Sequence, residues 1–69
     1  MGVKNKLREI RMQEFVMDTG DFARKLNVNL KTYSNWEKNR SKPSLEEALR
    51  IAKELERKVE DIWSLENIE

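Results

Sequence analysis

The sequence predicts an all-α fold, a compact cluster of five short helices in one domain covering residues 1–69. Apolar residues recur at three- and four-residue intervals, and no stretch alternates with a period of two. The only proline, Pro43, sits in the one clear break, Asn39-Arg40-Ser41-Lys42-Pro43-Ser44. Residues suited to helix ends stand at the right places: Asp18, Asn27, Asn29 and Ser44.

The first helix is expected over residues 4–14, with Val3, Leu7 and Ile10 on one face. A second begins near Thr19, where Asp18 can accept from free backbone amides. It carries Phe22, Ala23 and Leu26 inward and stops at Asn27, which tolerates the left-handed backbone of a tight turn. Asn29 caps a third helix that turns Tyr33 and Trp36 inward. Ser44 and Glu47 have the spacing of a capping box for the fourth, whose apolar stripe is Leu45, Ala48, Leu49, Ala52 and Leu55. A short fifth helix, residues 59–63, brings Val59, Ile62 and Trp63, and Ser64 to Glu69 should fray. The expected core is Leu7, Ile10, Phe22, Ala23, Leu26, Val28, Tyr33, Trp36, Leu45, Leu49, Ala52, Leu55 and Ile62.

Composition narrows the function. With neither Cys nor His, there is no disulfide framework and none of the usual ligands for zinc or transition metals. Two glycines, Gly2 and Gly20, cannot make a phosphate-cradling loop. The usual equipment of an enzyme is missing, no cofactor is called for, and so short a domain leaves little room for an effector pocket. No apolar run approaches the roughly 20 residues that cross a bilayer, so a cytoplasmic protein is expected.

The net charge of +1 hides a strong segregation. Residues 1–11 carry +3, residues 12–23 carry −3, residues 24–43 carry +5 and residues 44–69 carry −4. A basic middle beside an acidic end is the footprint of a surface with one face toward phosphate, although an ordinary solvated helical surface reads the same way.

The stretch Thr19-Gly-Asp-Phe-Ala-Arg-Lys-Leu-Asn-Val-Asn-Leu-Lys-Thr-Tyr-Ser-Asn-Trp-Glu37 reads as helix, tight turn, helix. Ala23 stands where two crossing helices approach closely, Asn27 reverses the chain, and Val28 plugs the angle between them. Leu30, Lys31, Ser34 and Asn35 project outward from the second of these helices.

With these motifs, and with Leu7-Arg-Glu-Ile-Arg11, Pro43-Ser-Leu45, Ala48-Leu-Arg-Ile-Ala-Lys53 and Val59-Glu-Asp-Ile-Trp63 in order around them, the chain resembles the Cro/repressor-type (Xre-like) helix-turn-helix family over residues 5–63. The resemblance implies sequence-specific binding of double-stranded DNA by a transcription regulator, with the recognition helix, residues 30–37, in the major groove. Leu30, Lys31, Ser34 and Asn35 become the base-reading candidates. Thr19, Thr32, Lys38, Asn39, Arg40, Ser41 and Lys42 become the phosphate contacts. Arg11 and Glu37 match positions that form an internal ion pair.

A homodimer on an inverted repeat is the expected assembly, and Ile62, Trp63, Leu65 and Ile68 are its candidate self-contacts. Against that, Ile62 and Trp63 could simply close the core while Leu65 and Ile68 stay disordered. A protein-binding module of antitoxin or anti-repressor type is the alternative function. The chain also departs from the family pattern. Thr19 replaces a frequent Gln, the connection Met12 to Asp18 is one residue longer than the commonest pattern, Gly20 interrupts a helix, and Asn39 stands in place of a common Gly.

Overall fold

The computed structural model describes residues 2–66, and its first element is a strand where a helix was expected. Strand β1, Val3–Asn5, pairs antiparallel with β2, Trp63–Leu65, in the register Val3 to Leu65, Lys4 to Ser64 and Asn5 to Trp63. Backbone hydrogen bonds from Lys6 to Ile62 (2.9 Å) and from Glu66 to Gly2 (2.8 Å) extend the ladder at both ends. The fold is therefore mostly helical with a two-stranded ribbon, and the all-α expectation is corrected to that extent. Three residues are too few to display the alternation that announces a strand. Asn5 also blocks a helix from starting at residue 4, because its Oδ1 accepts from the Leu7 amide at 3.0 Å. Val3 belongs to the ribbon and not to a helix face. Ser64 and Leu65, expected to fray, are paired, while 67–69 lie outside the described residues.

Five helices lie between the strands. The first begins as α1, Leu7–Glu9, and runs on without a break as a π-helical segment, Ile10–Phe15. It is followed by α2, Thr19–Lys25; α3, Leu30–Glu37; α4, Leu45–Glu54; and α5, Val59–Ile62. A π segment accommodates a residue more than an α-helix along the same axis. The surplus residue before Asp18 is absorbed here, inside the helix, so the start of α2 need not move.

Three helices end alike. Asn27, Asn39 and Glu56 adopt left-handed backbone, with φ of 57°, 63° and 57°. Each is followed by an amide that reaches back to the helix: Val28 to Ala23, Arg40 to Asn35, and Arg57 to Ala52. At the other ends, Asp18 accepts from the Asp21 amide (2.8 Å), Asn29 from Lys31 (2.8 Å) and Ser44 from Glu47 (3.2 Å). The box expected at Ser44 is half realised, because the Glu47 carboxylate turns to Arg50.

The core gathers Leu7, Ile10, Phe22, Ala23, Leu26, Tyr33, Trp36, Ala52, Leu55 and Ile62, as expected, and Val28 packs half-buried against it. Leu45 and Leu49, assigned to the core from sequence, are 72% and 54% exposed. The inner stripe of α4 is Ala48, Ile51, Ala52 and Leu55, and Trp63 joins it from β2. Two overlapping stripes satisfy the helical period in α4, and packing selects the one containing fully buried Ile51.

Val16 ends the π segment with φ of 51°, a left-handed conformation that a β-branched side chain tolerates poorly, and it is 81% exposed, so no packing compensates. Val16→Gly should therefore raise the unfolding free energy by about 1 kcal/mol, shifting the melting temperature upward by roughly 4–8 °C. A melting temperature that stays level or falls would show that the turn is not strained.

Candidate functional site

The site begins with what holds α3 from behind. Arg11, in the π segment, donates from Nε to Glu37 Oε2 at 2.9 Å and from Nη2 to Glu37 Oε1 at 3.1 Å. Its Nη1 donates to the Met17 carbonyl at 3.0 Å, which pins the chain just before α2. The Tyr33 hydroxyl donates to the same Glu37 Oε2 at 2.6 Å. The Arg11 and Glu37 side chains are only 12% and 11% exposed, so this is a two-pronged ion pair largely withdrawn from water. Burial alone would push the Glu37 carboxyl up, but the hydrogen bonds from Arg11 and Tyr33 outweigh it and hold the group below the usual carboxylate range. Burial first, and then the Glu37 carboxylate, push the Tyr33 phenol well above its ordinary value.

Aromatic contacts continue the tie. Tyr33 meets Phe22 edge-on (5.6 Å between centroids), and Phe22 meets Phe15 (5.4 Å), so α3, α2 and the end of the first helix share one aromatic row. Lys25 Nζ lies 5.0 Å from the centre of the Phe15 ring. From the opposite side, Arg50 of α4 donates from Nη1 to the Leu26 carbonyl (2.8 Å), at the last turn of α2.

With Tyr33, Trp36 and Glu37 committed inward, the opposite face of α3 is left to solvent. Leu30, 52% exposed, and Lys31 stand clear of the surface, while Ser34 and Asn35 are half-buried on the same face one turn further on. The helix is about 12 Å long, comparable to the roughly 12 Å width of a major groove. The structure thus leaves Leu30 and Lys31 exposed in the first turn of α3 and Ser34 and Asn35 partly accessible one turn later.

The loop after α3 is built as a cationic strip. Lys38, Asn39, Arg40, Ser41 and Lys42 are all exposed, and the Arg40 and Ser41 amides bond to the Asn35 carbonyl at 2.8 and 3.4 Å, folding the loop back on the helix. Arg11, Arg24, Arg50 and Arg57 each pair with a carboxylate, whereas among the described residues Lys31, Lys38, Arg40 and Lys42 have none within 4.0 Å. Thr32 is exposed on the flank of α3. Thr19 is half-buried at the start of α2, next to Asp18, which accepts from the Asp21 amide.

Of the four residues considered for self-contact, Ile62 and Trp63 are buried in the core, Leu65 is 66% exposed, and Ile68 lies outside the described residues. Sequence reasoning missed Asn5. Its side chain bridges the Leu7 amide and the Trp36 carbonyl (2.9 Å), joining the start of the first helix to the end of α3. It also missed Arg50. Nothing in local spacing announces either contact, which spans 31 residues in one case and 24 in the other.

A family model described as helix-turn-helix, of the Cro/C1 type, matches residues 7–62, which takes in every helix from Leu7 to Ile62. Among curated proteins none matches the chain significantly.

Removing one partner from so dry an ion pair leaves the other charge uncompensated, so Glu37→Gln should cost about 3–5 kcal/mol. Tyr33→Phe, which keeps the pair, should cost about 1–2 kcal/mol. Because the folded-state pKa of Glu37 is depressed, its contribution is fully present above the unfolded value of about 4.3 and fades as pH falls through the folded value. Urea unfolding followed from pH 7 downward should show the penalty of Glu37→Gln shrinking in acid; a penalty independent of pH would mean that Glu37 is not held ionised by Arg11.

Proposed function

The chain belongs to the Cro/C1-type, Xre-like helix-turn-helix family of DNA-binding transcription regulators, and from that premise we propose that it reads an operator as a dimer, with α3 in the major groove. The observation that carries the reading is the free outer face of α3, Leu30, Lys31, Ser34 and Asn35, next to the unpaired cations of the loop 38–42.

Chemistry assigns the roles. Lys31 can donate to guanine O6 and N7, Asn35 can pair with adenine N6 and N7, Ser34 can bond to either, and Leu30 can pack on a thymine methyl. Thr19, Thr32, Lys38, Asn39, Arg40, Ser41 and Lys42 hold the register through phosphate oxygens. One such unit reads only a few base pairs, so useful specificity calls for two half-sites about one helical turn apart. Of the apolar residues near the end of the described chain, exposed Leu65 is the one available for a two-fold contact.

Selection of sites from randomised duplexes at physiological salt tests the reading. The expected product is an inverted repeat with half-sites about one turn apart. A single short site would mean a monomer, and absence of any enriched sequence would overturn the regulator reading. Lys31→Ala should relax preference at one position by about 1–3 kcal/mol. Arg40→Ala should weaken binding to all sequences alike and lower the salt dependence by about one ion. If Lys31→Ala kept the parent's full preference, base reading by Lys31 would be wrong.

A further inference from the structure

The two basic blocks of the sequence, residues 1–11 and 24–43, are separated along the chain by the acidic block 12–23. The fold brings them together. Asn5 Nδ2 donates to the carbonyl of Trp36, two residues before Lys38, so β1 lies against the end of α3 where the cationic loop begins. Lys4 and Lys6 flank Asn5, both are exposed, and among the described residues neither has a carboxylate within 4.0 Å. The residue paired with Lys4 across the ribbon is the neutral Ser64.

We infer that β1 is a second phosphate-binding element, in which Lys4 and Lys6 extend the strip of Lys38, Arg40 and Lys42 along the DNA backbone. This assignment rests on the DNA-binding reading above and adds to it residues outside the helix-turn-helix. The strand suits the task because it is held on both sides: by backbone pairing with β2, extended by Lys6 to Ile62 and Glu66 to Gly2, and by the Asn5 side chain on the Trp36 carbonyl. A lysine on an ordered backbone loses only side-chain freedom when it meets a phosphate, whereas one on a loose tail must also order the chain. Alternation along β1 turns Asn5 inward and Lys4 outward, so the contact that places the strand leaves the lysine free.

The test is the salt dependence of binding to a labelled mixed-sequence duplex of about two to three helical turns. Three proteins are compared: the parent, Lys4→Gln/Lys6→Gln, and a charge-matched control, Lys53→Gln/Lys58→Gln, which removes two exposed lysines from the acidic end. Neutralising a phosphate contact lowers the slope of log affinity against log salt by about 0.9, so the first variant should lose about 1.8 for each protomer bound and the control little. Sites selected from randomised DNA should be the same for parent and variant, since phosphate contacts carry no base information. A slope equal to the parent's, or an equal loss in the control, would overturn the role of β1 while leaving the regulator reading intact. A parent that fails to bind duplex even at low salt would overturn both.

Discussion

Glu37 is half-buried on the inner side of α3, its side chain only 11% exposed, and a carboxylate so far withdrawn from water must be met by donors or it will not stay ionised. Arg11 and Tyr33 meet it, and each comes with a constraint. Arg11 reaches across from the π segment and at the same time grips the Met17 carbonyl, so the first helix, the approach to α2 and α3 are fixed relative to one another by one guanidinium. Tyr33 lies one turn before Glu37 on α3 and carries the aromatic row of Phe22 and Phe15 with it. The rotation of α3 about its own axis follows from this cluster. Once Tyr33, Trp36 and Glu37 face inward, Lys31 and Asn35 fall on the outer side with Ser34 beside them, and Leu30, which opens the first turn, is left 52% exposed.

The same cluster explains why the irregular first helix is tolerated. Regular α-helix from Leu7 to Phe15 would have to carry the surplus residue into the connection, displacing Met17 from Arg11 or Asp18 from its cap. Widening the helix into a π segment leaves both contacts in place and confines the irregularity to its far end, where Val16 takes up the left-handed turn. Asparagines fill that role at the ends of α2 and α3 with less strain, since Asn visits the left-handed region more readily than a β-branched residue.

Much of this was readable in the residues. The caps at Asp18, Asn29 and Ser44, the reversal at Asn27, the inward Tyr33 and Trp36 and the exposed cationic loop all follow from local chemistry that acts within four residues. Where reading failed, the deciding contact was remote. Leu49 and Ile51 fit the periodicity of α4 equally well, and only packing distinguishes them. The ribbon depends on residues near opposite ends of the chain. The bridge made by Asn5 requires the end of α3 to be nearby, and no spacing rule brings the two together. The outward face of α3 was legible because it is what remains when the inward face is known. The roles of individual side chains on that face are a matter of what they touch in a complex, which a free chain does not display.

The ribbon has a kinetic meaning as well. Arg11 to Glu37, Asn5 to Trp36 and Arg57 to Glu14 span 26, 31 and 43 residues, whereas Lys6 to Ile62 and Glu66 to Gly2 close almost the whole described chain into a loop. Closing so long a loop costs entropy before a three-residue pairing can return anything. On this ground the helices and their turns are expected to assemble first on folding, with the ribbon pairing last. Amide exchange at Lys6 and Glu66 would register an opening of the ribbon while the amides of α2 and α3 stayed protected. Because Asn5 fastens the ribbon to the end of α3, an opening of the ribbon would also release one of the ties that hold that helix end.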